Sequence, residues 1–361
     1  MENNMMMNIG LTDELLRESA RYPEWLVGRI ASQSKGSYTV MTEQGEGAAE
    51  ISGKLRYAAS SMADYPVVGD FVMVDRPNNA ADTAIIHRVL PRRTVLERKA
   101  AGTSQDVQVV ATHMDIVFLC MALNRDFNLR RLERYLAVAW SSGATPVVVL
   151  TKSDLCEDLQ SMVDAVADVA IGVDLIITSS VTEEGVQAVQ RYTGAGITCV
   201  FIGSSGVGKS TLINRLIGTT VMETNATRQD DKGRHTTTRR EMLLLPDGGV
   251  IIDTPGMREL GLEGADLSRS FADIDSLAGA CKFSDCQHEN EPKCAVREAL
   301  QVGTLTAERL ASYRKLKREA RYEGMNAKQI ETAKLDEMFG GVGGMKQAKK
   351  FIKAKQAKKY R

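Results

Sequence analysis

The rhythm of apolar positions changes twice along the chain. From Trp25 to about Leu90, short alternating runs (WLVGRIASQ, GSYTVMT, VVGDFVMVD and AIIHRVL) are divided by glycines and polar turns. Alternation of this period predicts strands, and several short strands at this spacing predict a small OB-type β-barrel, with Gly45-Glu46-Gly47 as a break between them. Such barrels bind oligonucleotides, and they serve equally as structural or protein-docking modules. From Thr103 to about Leu262 the pattern becomes strand, helix, strand. DIVFLCMAL, TPVVVL, VDLIIT, ITCVFI, EMLLLP and GVIID read as strands, with NLRRLERYLAVAWSSG, EDLQSMVDAVADVA, EEGVQAVQRYT and STLINRLIG as helices among them. That alternation predicts a doubly wound α/β sheet, whose ligands sit at the carboxyl ends of strands. Beyond Ser268 the chain reads as short helices, ending in a glycine-rich break, GGVGGMKQ, and a basic stretch.

Composition changes this picture in three places. The 361 residues allow two or three domains. No apolar run approaches the roughly 20 residues that span a bilayer, and MENNMMMNIG lacks the basic start of a signal peptide. The first 24 residues are therefore expected to be a flexible end, and the protein to be cytoplasmic with no membrane partner. Net charge is zero, yet Gly303 to Arg361 carries sixteen Lys/Arg against six Asp/Glu. A local excess of this kind suits a polyanionic partner or a solvated tail. Six cysteines are too few for a disulfide scaffold. Three of them, Cys281, Cys286 and Cys294, crowd beside His288 within CKFSDCQHENEPKC. Three thiolates and an imidazole complete a tetrahedral shell, which predicts one structural Zn²⁺ per chain.

The strand ends of the central region carry the chemistry. Gly203-Ser204-Ser205-Gly206-Val207-Gly208-Lys209-Ser210-Thr211 fits the phosphate-loop pattern between a strand and a helix. Its small residues let backbone N–H groups turn toward phosphates, Lys209 reaches the β- and γ-phosphates, and the Ser210 hydroxyl binds Mg²⁺. Asp253 opens DTPG at the next strand end, as a second magnesium contact, with the Gly256 amide near the γ-phosphate. Between them, TRQDDKGRHTTTRREM suits a switch segment. One hydroxyl among Thr236, Thr237 and Thr238 completes the metal shell, with Thr237 as the candidate. Upstream of all these, Thr151-Lys152-Ser153-Asp154 follows the strand VVVL. Asp154 can accept from the guanine N1 and N2 donors, Lys152 can pack over the purine, and Ser179 with Ser180 offers a second base-contacting loop. A base loop that precedes its phosphate loop predicts a circularly permuted GTPase. Permutation is tolerable because chain ends often lie close together. Two rivals remain open: a P-loop kinase or ATPase with a small substrate, and an RNA-binding module whose hydrolysis is vestigial.

VVGD, the base loop before GSSGVGKST, GRHTTT, DTPGMREL and the Cys-x4-Cys-x-His-x5-Cys cluster together resemble the circularly permuted, ribosome small-subunit-dependent GTPases of the RsgA (YjeQ/YloQ) family. The resemblance spans most of the chain. It implies a multidomain α/β protein: an OB-fold over 25–92, a permuted P-loop GTPase domain over 103–267, a C-terminal zinc-binding helical domain over 268–340 and a basic tail over 341–361. It further implies a monomer that converts GTP to GDP during late maturation of the 30S subunit and contacts its 16S rRNA. Thr151 stands where the family usually has Asn, so guanine preference is expected to be weakened but kept. Met257 follows DTPG where many GTPases carry a water-orienting glutamine, and methionine has no group for that task. Slow intrinsic hydrolysis is therefore expected, with the particle completing the site and His235 as the candidate catalytic residue beside Lys209. His87 and His113 lie outside the motifs and are expected to be structural.

Overall fold

The computed structural model describes residues 5–34, 36–75, 83–99, 107–182, 184–221, 241–254, 267–321 and 329. Its first unit is a closed barrel of five strands: β1 (Leu26–Ser34), β2 (Ser37–Thr42), β3 (Gly45–Ile51), β4 (Phe71–Val74) and β5 (Ala84–Val89). They follow the order β1-β2-β3-β5-β4, and β4 closes back onto β1. Inward alternation puts Ile30, Tyr38, Val40, Ala49, Val72 and Ile86 into one core. The three residues expected as a break between strands, Gly45-Glu46-Gly47, instead begin β3, with Gly45 opposite Thr42 across a two-residue reversal. Gly45 takes a φ of +112°, a backbone conformation that residues with a side chain rarely adopt, and this lets the chain turn that tightly. VVGD, read as the start of a strand, is a turn: the Val67 and Asp70 amides donate to the Asp70 carboxylate and the Val67 carbonyl respectively.

A hairpin of β6 (Val95–Lys99) and β7 (Val107–Thr112) leads from the barrel into the second unit. There β8 (Ile116–Ala122), β9 (Thr145–Thr151), β10 (Asp174–Ile177), β11 (Thr198–Ile202), β12 (Glu241–Leu244) and β13 (Val250–Asp253) form the order β10-β9-β8-β11-β13-β12. All pair in parallel except β12, which runs antiparallel to β13 and meets the barrel at the single bridge Ser32↔Glu241. The central strands are apolar on both faces because helices cover both. Leu132, Tyr135 and Leu136 of the helix Leu129–Ser141 pack on one side. Leu212, Ile213 and Leu216 of the helix Lys209–Ile217 pack on the other. Asn128 caps the first helix through the Arg131 amide at 3.0 Å, and Gly143, at φ +82°, follows its end. Helices Ala272–Gly279, Ala295–Val302 and Ala307–Arg321 follow the sheet.

The expected flexible start is corrected by its burial. Met6, Ile9, Leu11 and Leu15 enter the main core, and the Gly196 and Gly249 amides donate to the Asn8 carbonyl at 2.8 and 2.9 Å. An apolar residue every few positions, too short a pattern to suggest a domain, is enough to pin this segment. Arg29 of β1 completes the junction. Fully buried, it donates to the carbonyls of Ile9 and Gly69 and to Thr198 Oγ1, and lies 4.8 Å over the Phe71 ring.

Beside it, His113 is 3% exposed, with its ring edge-on to Phe71. Burial first, then the neighbouring arginines, push its pKa down from 6.5 to about 3. The unfolded chain thus takes up a proton that the fold refuses, so stability is lost as pH falls from about 6.5 toward 3. Between pH 7 and pH 5 the loss is expected to be about 2 kcal/mol in urea titrations. His113→Asn, which tolerates the positive φ of 53°, should abolish most of that slope. His87 stacks on Trp25 at 4.5 Å between ring centroids, a packing role in the barrel.

Candidate nucleotide site and metal cluster

The strand ends of β9, β10, β11 and β13 bring the sequence motifs together. At the end of β11, Gly203 passes so close to β8 that a Cβ would lie 2.7 Å from the Cys120 carbonyl oxygen, which forces glycine there. Gly206 and Gly208 take φ of 75° and 107°, turning the loop into the helix Lys209–Ile217. Ser205 and Gly206 are exposed at its rim, and Ser210 and Thr211 lie in the first helical turn. Lys209 folds back: its Nζ donates to the carbonyls of Gly203 at 2.7 Å and Ser204 at 2.8 Å. Burial lowers its pKa, against the opposing pull of Cys120 and Asp253. Asp253, at the end of β13, is also buried, and its carboxyl is raised by desolvation against the pull of Lys209. Thr254 beside it is locked by its hydroxyl to the Phe201 carbonyl at 2.9 Å.

The base loop lies against the phosphate loop despite its distance in sequence. Thr151 Oγ1 is 2.5 Å from the Val207 carbonyl, so the hydroxyl at this position ties the two loops together. Lys152 adopts a left-handed conformation (φ 58°, ψ 41°) that turns the chain into Ser153–Leu155. Asp154 Oδ1 accepts from Ser179 Oγ at 2.6 Å, and Ser179 Oγ in turn accepts from the Val181 and Thr182 amides. The Ser180 carbonyl accepts from Arg215 of the helix that follows the phosphate loop. Thus Thr151–Asp154, Ser179–Ser180, Gly203–Thr211 and Asp253 form one constellation. His235, Thr236, Thr237, Thr238, Gly256 and Met257 lie outside the described residues.

Sequence reasoning missed Asp126. It sits in the turn after β8, where its carboxylate accepts from Ser204 Oγ and from Arg131 Nη1, the latter at 2.8 Å. Its signal was a polar Asn-Arg-Asp turn at a strand end in an α/β sheet, the place where ligand-facing groups collect.

Away from this constellation, Cys281, Cys286, His288 and Cys294 bring their ligand atoms within 4.8 Å of one another. Cys281 Sγ lies 3.8 Å from Cys294 Sγ and 3.6 Å from His288 Nδ1, which is 3.4 Å from Cys294 Sγ. Zinc bonds of about 2.3 Å to sulfur and 2.0–2.1 Å to nitrogen place tetrahedral ligands about 3.8 Å (S···S) and 3.6 Å (S···N) apart. The donor set therefore fits zinc. Glu291 supports the loop, accepting from the Gln287, Glu289 and Asn290 amides, and Arg314 Nη2 donates to the His288 carbonyl at 2.9 Å.

A phosphate loop that follows its base loop, on a sheet whose strands keep the usual spatial arrangement, defines a circularly permuted P-loop GTPase domain behind an OB-like barrel. Comparison narrows the class. The RsgA GTPase family model matches residues 89–263. The small ribosomal subunit biogenesis GTPase RsgA 2 of Lactiplantibacillus plantarum is 50% identical over 345 residues, covering 95% of this chain and 97% of that one. The crystal structure of YjeQ from Thermotoga maritima matches with a TM-score of 0.62 at 26% identity, over 82% of this chain and 98% of its own. YloQ, a circularly permuted GTPase, matches with a TM-score of 0.58 at 25% identity, over 82% and 95%. The chain belongs to the RsgA GTPase family.

Proposed function

We propose that this chain hydrolyses GTP to GDP and phosphate in the biogenesis of the small ribosomal subunit, and that the subunit stimulates it. The observation that carries the reading is the Thr151–Val207 bond, which makes one site of a base loop and a phosphate loop that run in reverse order. In this reading Asp154, with Lys152 and Ser153 beside it, recognises guanine, and Ser179 and Ser180 hold the second base loop. The amides from Gly203 to Thr211 cradle the phosphates. Lys209 and Asp253 are buried charges of opposite sign, each penalised by its own desolvation. A triphosphate and its Mg²⁺ would stabilise both, with Ser210, Asp253 and Thr237 around the metal. Gly256 senses the γ-phosphate, and His235 orients the attacking water when the particle completes the site. The Thr151 hydroxyl ties the base loop to the phosphate loop, which supports retained guanine preference.

The same reading divides the chain at 25–92, 103–267, 268–340 and 341–361, and has it act as a cytoplasmic monomer that contacts 16S rRNA. No described helix is long and apolar enough to cross a membrane. Steady-state turnover of GTP and ATP, with and without purified 30S subunits, tests the whole. A large stimulation confined to GTP supports it. Turnover indifferent to the subunit removes the ribosome from the reading, and equal use of ATP removes guanine recognition.

The cysteine cluster is proposed to hold one Zn²⁺ per chain, as a structural staple for helices too short to stand alone. Elemental analysis is expected to find about one zinc, and Cys294→Ser to lose it together with helical signal from the C-terminal region. Metal-free protein with an unchanged spectrum would contradict the staple.

A further inference from the structure

We propose that Asp126 is a positioning residue for hydrolysis, acting through Ser204 to aim Lys209. The proposal rests on the GTPase reading above. Ser204 is held on two sides. Its hydroxyl, buried with the rest of the residue, donates to the Asp126 carboxylate, while its carbonyl accepts from Lys209 Nζ at 2.8 Å. The neighbouring Gly203 carbonyl accepts from the same ammonium at 2.7 Å. The orientation of the two successive peptide units on either side of Ser204 therefore fixes where the lysine points, and Asp126 holds Ser204 from outside the loop.

Asp126 is itself anchored. Its own amide donates to Asn124 Oδ1 at 3.0 Å, and Arg131 pairs with its carboxylate at 2.8 Å from the first turn of the helix Leu129–Ser141. The anchor thus belongs to a rigid helix packed on the sheet, not to the phosphate loop it steadies.

Nucleotide binding is shared among many loop amides, but the lysine meets charge that grows on the phosphate oxygens only as the bond breaks. Loosening Ser204 should therefore lower turnover more than affinity. A turn that merely staples β8 to its helix would move the melting temperature and leave this ratio alone.

The test compares Asp126→Ala, Ser204→Ala, the double variant and Asp126→Asn with wild type, by GTP turnover in the presence of 30S subunits, GDP titration and melting. Each alanine variant is expected to lower kcat about tenfold while KM and GDP affinity stay within about threefold. The double variant should be no slower than the slower single, because both remove one contact. Asp126→Asn keeps an acceptor for the hydroxyl and should stay within about threefold of wild type. Wild-type kcat in Asp126→Ala, or losses that multiply in the double variant, would overturn the proposal while leaving the GTPase reading intact. Wild-type protein that binds no guanine nucleotide would overturn both.

Discussion

Lys209→Ala is expected to reduce kcat/KM for GTP by roughly 10²–10³-fold, the range for removing one preorganised donor from a site of developing charge. The ammonium is buried, desolvated and fixed by two carbonyls, so it meets the phosphates without reorganising. Lys209→Arg should not rescue turnover. The guanidinium is a planar fork, whereas the Gly203 and Ser204 carbonyls converge on the single nitrogen of an ammonium. Single-turnover hydrolysis at saturating GTP separates the two effects of the alanine change. A loss seen only in KM would mean that the lysine binds ground state and transition state alike.

The second large effect concerns stability. Arg309 of the last described helix makes a two-pronged contact with Asp273, at 2.7 Å on each arm, and a 3.1 Å bond to Glu133. It also lies 4.9 Å over the Phe271 ring. Glu133 is fully buried in the helix Leu129–Ser141, where Arg130 is its other partner. Arg309→Met is expected to cost about 3–5 kcal/mol, because a buried carboxylate loses half its compensation. The midpoint of urea unfolding should fall accordingly. Adding Glu133→Leu should return most of the loss, since an apolar pair of similar volume carries no desolvation penalty. A double variant as weak as the single would show that the cost lies in packing against Phe271.

The parts most legible in the sequence were those fixed by local chemistry. Gly206 and Gly208 can be read because their backbone geometry admits almost nothing else, Gly203 because a Cβ would meet the Cys120 carbonyl, and the metal cluster because its ligands lie within fourteen residues. The permuted order was legible because each motif ends a strand. What stayed hidden depends on distant partners. Asp126 reads as a turn residue until Ser204, 78 positions away, is placed beside it. Glu133 and Arg309 each read as ordinary charges on amphipathic helices, and only packing buries them against each other across 176 positions. Gly45 misled for the opposite reason. A glycine that ends one strand and a glycine that begins the next look alike until the partner strand fixes the register. The start of the chain misled because four apolar residues suffice to dock a segment whose composition resembles a loose end.

The reordering of the sheet also bears on how the protein is made. Strands β8, β9 and β10 leave the ribosome first, but the space beside β8 is filled by β11, which begins only at Thr198. At synthesis rates of about 5–20 residues per second, β8 would wait several seconds with an open apolar edge. An unpermuted domain makes its phosphate-loop strand first, so there the strand left waiting is the one equivalent to β11, not the one equivalent to β8. Nascent chains of this protein should therefore depend on holding chaperones between the emergence of Ala122 and that of Ile202.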